Sequence, residues 1–299
     1  MRRACWIVGL GMLAALGGTP AQAVDPFFPT FGNDSYDVTH YDLSFDVDPV
    51  RNRLNGNAVI SVISLAAVSG ITLDLADLAV KEVRFNGVPS SFTHGNGKLR
   101  VRLPYPQRKG AAFKITVAYG GVPATLDDPT APGQGLGLGW TGHAGTSYVV
   151  SEPVGASTWY PVNDQPTDKA TYRFSVTAPK PYTAVANGNL ESISDLGAKR
   201  RFIWKQREPM ASYLAILDVA RLDLERAWGR RGLPIRNYTT AKTPASTKAA
   251  LRQVPAMLTL FESMAGPYPF SSYGAVVVDD PALYYALETQ AMSTFPAED

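Results

Sequence analysis

Cysteine is nearly absent from the 299-residue chain: Cys5 is the single one. Beyond the first residues there is no thiol for a disulfide, a zinc knuckle or a nucleophile, and stability must come from packing. Histidine is scarce as well. His40, His94 and His143 are the three present, and no two lie within one helical turn of each other, so no pair is spaced to face one metal ion from a helix. Charge of either sign is not in excess, with 28 basic against 26 acidic residues. That balance removes the electrostatic case for nucleic acid or an anionic membrane surface as partner. No Gly-x-Ser-x-Gly elbow occurs, and no Gly-Lys-Ser/Thr follows the glycines of Gly133–Gly139. Those glycines read as a flexible loop, not a phosphate cradle. A fixed-period repeat of solenoid or propeller type is also missing.

What is present begins with a leader. Arg2 and Arg3, the apolar stretch Cys5–Gly17 and the small-x-small triplet Ala21-Gln22-Ala23 have the layout of a cleavable signal peptide over residues 1–23. The apolar part is too short to span a bilayer. A secreted or periplasmic protein, off the membrane after cleavage, is the expectation, with an uncleaved anchor as the alternative. Removing the leader leaves 26 basic and 26 acidic groups.

From about Tyr36 the texture is β-structure. Period-two runs recur at Tyr41–Val47, Ala58–Leu65, Ile71–Leu75, Val80–Phe85, Leu99–Leu103 and Phe113–Tyr119, then at Ser147–Val150, Ala170–Thr177, Thr183–Leu190, Lys199–Gln206 and Tyr213–Val219. Asn55-Gly56, Asn86-Gly87, His94-Gly95-Asn96-Gly97 and Gly120-Gly121 read as the links, because each supplies positive φ cheaply. None is long enough for a crossover helix, so mainly antiparallel sheets are expected. In the basic run Lys199–Arg207, alternation puts Phe202 and Trp204 on one strand face and Arg201, Ile203 and Lys205 on the other, a solvated strand and not a nucleic-acid groove.

Near Leu222 the pattern changes. Pro234–Tyr238 reads as a strand leading to a helix capped near Thr243, with Leu251, Val254, Leu258, Phe261 and Ala265 on one face. Pro255 should kink that helix and Gly266-Pro267 should stop it. A strand at Ala275–Val278 and a turn at Asp279-Asp280-Pro281 follow. A tail with one helix and few strands buries little surface by itself. Its apolar helix face is expected to be exposed and to promote self-association.

Two segments carry chemistry. The first is Ser151-Glu152-Pro153 followed by Trp159-Tyr160-Pro161-Val162-Asn163-Asp164-Gln165-Pro166-Thr167-Asp168-Lys169-Ala170-Thr171-Tyr172; the second is Phe261-Glu262, Gly266-Pro267-Tyr268-Pro269-Phe270 and Tyr285-Ala286-Leu287-Glu288-Thr289. Together they resemble the M1 (gluzincin) zinc aminopeptidases, in which an acidic residue precedes an aromatic-x-Pro-x-x-Asp-x-Pro block and a Gly-Ala-Met-Glu-Asn motif follows Gly-x-Pro-Tyr-Pro. The resemblance runs from about Tyr36 to the C-terminus. It implies a mainly β fold: a large antiparallel, saddle-like β-sandwich over 24–222, then an incomplete α/β, thermolysin-like catalytic segment over 223–299.

The resemblance also implies that Glu152 and Glu288, with Ala286, form the substrate-binding residues, the two carboxylates gripping the free α-ammonium of a peptide. An ammonium of pKa about 8 is mostly charged at neutral pH. A carboxylate at about 4 Å gains roughly 4 kcal/mol at an effective dielectric near 20, before desolvation. Trp159, Pro161, Asp164 and Pro166 read as structural. Tyr285 and Thr289 depart from the family's Gly and Asn. The larger departure is the His-Glu-x-x-His zinc helix, which does not occur here. Zinc is therefore implied for the full-length family but not for this chain, which reads as an N-terminal portion without peptidase activity of its own. A non-catalytic, secreted peptide-binding module and a remnant without ligand remain the alternatives.

Overall fold

A computed structural model describes residues 25–133 and 137–297; the leader read over 1–23 lies outside them. Alternating apolar residues build the first long strands, β1 (Tyr36–Asp48) and β2 (Arg53–Ser64), each burying about every second side chain. Next come β3 (Val68–Asp74), β4 (Ala79–Phe85), β5 (Val88–Pro89), β6 (Phe92–Gly95), β7 (Lys98–Gln107) and β8 (Ala112–Gly121). The strands β9 (Leu126–Asp127), β10 (Gly137–His143) and β11 (Thr146–Val150) precede β12 (Ala170–Pro179), β13 (Thr183–Ala186), β14 (Asn189–Leu196), β15 (Lys199–Met210) and β16 (Leu217–Ala220).

These form an eight-stranded sheet in the order β14-β15-β12-β1-β2-β8-β4-β5, a five-stranded sheet β13-β16-β11-β10-β9 and a three-stranded sheet β3-β7-β6. The chain is mainly β, as expected. Nearly all pairs are antiparallel, but β1 and β12 run parallel with Leu43 opposite Phe174. No crossover helix is needed, because the connection between those two strands passes through the other sheets. The core is aromatic: Tyr41 stacks on Tyr172 at 5.0 Å, Tyr172 on Phe174 at 5.6 Å, and Trp159 meets Tyr160 edge-on at 4.6 Å.

Several local expectations change. Asn55-Gly56 is not a turn; Gly56 lies inside β2, where a Cβ would sit 2.4 Å from the Tyr119 ring. The turn is earlier, with Asn52 at φ 47°. Gly133–Gly139 is not all loop, since Gly137 opens β10, and a Cβ on Gly139 would meet Thr158 Oγ1 at 2.1 Å. The stretch Thr183–Leu190 breaks at Gly188, φ 79°, into β13 and β14. Tyr213–Val219 is a 3-10 turn, Ser212–Leu214, before β16. The three histidines stand on strands, His40 on β1, His94 on β6 and His143 on β10, each at least partly exposed.

The C-terminal part holds β17 (Asp223–Trp228), β18 (Pro234–Thr239), α1 (Ala245–Leu251), α2 (Val254–Ala265), β19 (Tyr273–Val278), β20 (Leu287–Thr289) and β21 (Met292–Pro296). Its sheet order is β17-β18-β19-β21-β20, with β18, β19 and β21 parallel. The helices occupy the crossover that a parallel β18–β19 pair requires. Where one kinked helix is expected, there are two. Pro255 falls in the first turn of α2, where a missing N–H leaves no hydrogen bond unmade, so it starts a helix instead of bending one. Thr243 caps neither helix; its Oγ1 accepts from the Thr240 N–H at 3.0 Å. Of the expected apolar face, Leu251 and Val254 are buried, while Phe261 is 60% exposed.

Candidate functional site

Glu152 follows β11 in a tight loop. The Gly155 N–H closes back on the Ser151 carbonyl at 2.7 Å, and Thr158 Oγ1 donates to the Gly155 carbonyl at 2.7 Å while accepting from Trp140 N at 2.9 Å. Gly155 must be glycine here, because a Cβ would meet Gly139 N at 2.6 Å. The loop is pinned at its base and leaves the Glu152 side chain exposed. The residues after it are buried and structural. Asp164 accepts from Ser212 Oγ at 2.7 Å, its N–H reaches Asp74 at 3.1 Å, and burial pushes its carboxyl up to about 7.

Glu288 stands on β20, the edge strand of the C-terminal sheet, opposite Ser293 of β21. Period two buries its neighbours Leu287 and Thr289 and turns Glu288 outward; Ala286 is half-buried. Tyr285 packs against the main core. Its phenol is raised above the ordinary value by burial and then by the nearby Tyr284, Asp128 and Glu152 groups. Tyr213 is raised by burial and by Glu152. The Glu152 carboxylate therefore lies within electrostatic reach of Tyr285, three residues before Glu288. Neither the Glu152 nor the Glu288 side chain forms a hydrogen bond or ion pair among the described residues.

Three polar clasps fix this neighbourhood, and none is legible as a site from the sequence. Asn187, fully buried, donates to the Leu214 carbonyl at 2.9 Å, the Gln290 carbonyl at 3.0 Å and Thr289 Oγ1 at 3.3 Å, and accepts from Ile216 N at 2.7 Å. It ties the turn carrying Tyr213 to the hairpin carrying Glu288. Tyr148 donates to Asp280 at 3.0 Å, and Thr294 donates to Asp218 at 3.4 Å. Burial pushes Asp218 up to about 7, against the N–H of Val149, which favours its charged form. A neighbouring cavity of about 490 Å³ is lined by Asp280, Leu283 and Tyr284 among others, but by none of Glu152, Ala286 or Glu288.

The described residues do not fit a zinc ion. Among them no three His, Cys, Asp or Glu side chains converge to hold a metal. His40 bonds Thr171 at 2.7 Å, with its imidazole lowered chiefly by burial; His94 bonds the Leu75 carbonyl at 3.0 Å; His143 approaches Asp280 at 3.8 Å. The Glu152 and Glu288 side chains are each exposed acceptors without a partner among the described residues, and neither lines a described cavity.

Residues 37–214 match the profile of the Peptidase M1 N-terminal domain. Leukotriene A-4 hydrolase of Xenopus laevis is 25% identical over 279 residues, covering 87% of this chain and 43% of that protein. Leucine aminopeptidase 2 of Neurospora crassa is 24% identical over 277 residues, covering 85% and 38%. The crystal structure of an M1 zinc metallopeptidase from Deinococcus radiodurans superposes with a TM-score of 0.81 at 32% identity, covering 90% of this chain and 62% of that one. A variant of it bound to the substrate Tyr-Ser-Ala gives a TM-score of 0.82 at 32% identity over the same shares. The chain thus spans less than two thirds of the relatives it matches. With a family profile covering more than half of it and a fold shared across nine tenths of its length, the chain belongs to the M1 peptidase family and is related to its zinc aminopeptidases.

Proposed function

We propose that this chain is the substrate-anchoring N-terminal part of an exported M1 zinc aminopeptidase, residues 24–222 forming its β-domain and 223–299 the opening of its catalytic domain. It grips the free amino terminus of a peptide with Glu152 and Glu288, and Ala286 lines the approach. The observation that carries this reading is the meeting of the Glu152 loop with Tyr285 on a clasped, rigid base, with both carboxylates exposed and unpartnered. Two carboxylates at one end of a cleft select a chain end, because an acylated nitrogen has no charge and fewer donors to offer. The relative solved with Tyr-Ser-Ala supports a peptide as the ligand class. Hydrolysis itself is assigned to residues outside this chain, and this polypeptide turns over no aminoacyl-anilide. The leader directs export, with Val24 as the mature amino terminus.

The test is calorimetric titration with a free-amine dipeptide and its N-acetylated twin. The free amine should bind about tenfold or more tightly, and Glu152→Gln and Glu288→Gln should each erase most of that preference. Equal affinities, or a preference that survives both substitutions, would overturn the assignment. We also propose that copies of the chain associate through α2, whose Met257, Leu260, Phe261 and Met264 are 46–75% exposed.

A further inference from the structure

A second polar feature lies where the eight-stranded sheet meets the C-terminal sheet. Period two puts Arg200, Phe202 and Trp204 of β15 on one face, with Phe202 and Trp204 buried. On β18 the same period puts Arg236 with Tyr238, and the antiparallel register sets Arg226 of β17 opposite Arg236 and Leu224 opposite Tyr238. The two faces meet. The rings of Trp204 and Tyr238 are 6.3 Å apart, and the Arg236 guanidinium lies 4.9 Å over Trp204. Between them remains a cavity of about 180 Å³, walled by Leu190, Ile193, Phe202, Trp204 and Leu224 among others, with Thr183, Arg200, Arg226 and Tyr238 as its polar lining. That volume is roughly six times the share of one liquid water.

Three donors at this junction lack acceptors, although Arg200 Nη2 donates to the Pro181 and Tyr182 carbonyls at 3.1 Å and the Arg236 guanidinium donates to the Gly188 carbonyl. The Tyr238 hydroxyl, on a residue 1% exposed, has no hydrogen-bond partner. Neither has the Nε of Arg236, a residue 8% exposed, nor the buried Nε of Arg200. The Arg226 side chain forms no ion pair or hydrogen bond among the described residues. The acids nearby are spent elsewhere: Glu225 turns to the other face and pairs with Arg252 at 2.8 Å, and Asp195 pairs with Lys180 at 2.6 Å. Like charges directly opposite on paired strands repel, and buried donors without acceptors are costly. An anion supplied from outside relieves both.

We propose that this cavity is a binding site for a small carboxylate with an apolar body, of the benzoate class. Its carboxylate accepts from Tyr238 Oη and Arg226, with Arg200 adding charge, and its ring lies against Trp204, Phe202 and Leu190. Five apolar walls favour a carboxylate on a hydrocarbon frame over inorganic phosphate. None of Glu152, Ala286 and Glu288 lines the cavity, so the inference stands whether or not those residues hold a peptide amine.

The test is calorimetric titration of the whole chain with benzoate, with neutral benzamide and inorganic phosphate alongside. Benzoate should bind saturably, with benzamide and phosphate about tenfold or more weaker. Arg226→Gln, at an exposed position with no partner to lose, should keep the fold and weaken benzoate about tenfold. Tyr238→Phe should weaken it several-fold. Should Tyr238→Phe fail to fold, Arg226→Gln decides the matter alone. Absence of saturable benzoate binding, equal binding of benzamide, or unchanged affinity in Arg226→Gln would each overturn the proposal.

Discussion

The β1–β12 core and helix α2 carry the same signal, apolar residues at the period of their element, with opposite outcomes. In β1 and β12 that period buries Tyr41, Leu43, Tyr172 and Phe174 to 1% exposure or less. In α2 it leaves Phe261 60% and Met264 75% exposed, with a cavity of about 500 Å³ beside Leu251, Val254 and Met257. The difference is the second layer. Trp159 and Tyr160, delivered by the buried loop before β12, close over the strands, whereas Val254, in the first turn, is the one buried residue of α2. Periodicity states which face is apolar; a covering layer decides whether it is buried.

The sharpest way to break this comparison is a pair of truncations. Phe174→Ala, between rings at 5.6 Å and 6.4 Å, should lose about 3–5 kcal/mol of unfolding free energy. Phe261→Ala should change stability by less than about 0.5 kcal/mol. Denaturant unfolding measures both, and sedimentation of the second variant should show weaker self-association. Equal losses would mean that α2 is covered in solution and that the contrast is false.

The two regions should also part with pH. Asp164, Asp168 and Asp218 are pushed up to about 7 from an ordinary 3.8, in each case chiefly by burial. A raised folded-state value means that the folded form holds its proton more tightly. Their contribution is fully present below about pH 4 and is lost as pH rises through about 7. Glu262 on α2 shifts the other way, lowered first by the Tyr268 N–H and then by Arg231. Its contribution is present above about 4.5 and is lost on acidification. Taking the pH from 7 to 4 should therefore firm the β sheets while loosening α2, as amide exchange would read. Asp218→Asn keeps the Val149 N–H acceptor and offers Thr294 a donor, and it should remove its share of the decline, at most about 4 kcal/mol. An unchanged pH profile in that variant would show that Asp218 is already ionised in the folded protein.

Much of the strand set was legible because alternation needs only one buried face. Period two located the body of β1, β2, β8, β12 and β15, and Asn86-Gly87 and Asn96-Gly97 do supply positive φ between strands. Gly56 and Gly139 were misread for a physical reason. Glycine in a sequence marks either a turn or a close approach, and only the tertiary neighbour, Tyr119 or Thr158, says which. The same holds at the candidate site. Glu152 and Glu288 stand out through motif resemblance, but Asn187, which ties the Glu288 hairpin to the turn carrying Tyr213 and itself lies about a hundred residues from that hairpin, looks locally like the middle of a strand. A long-range clasp leaves no periodicity behind.

The smallest expected effect lies at the tip of the hairpin that carries Glu288. Thr289 pairs with Met292, so Gln290 and Ala291 form a two-residue turn, and Ala291 sits at φ 67° with 2% exposure. An alanine held in the left-handed region costs about 1–2 kcal/mol through its Cβ, a penalty glycine avoids. Glycine loses more backbone entropy on folding, which offsets part of the gain. Ala291→Gly should therefore stabilise the chain by a net of about 0.5–1 kcal/mol, the reverse of what this substitution does within the regular strands. Thermal unfolding of the variant checks the sign. A loss instead of a gain would mean that the buried methyl of Ala291 packs well enough to outweigh its backbone strain, and that this tip is governed by burial as the β1–β12 core is, not by turn geometry.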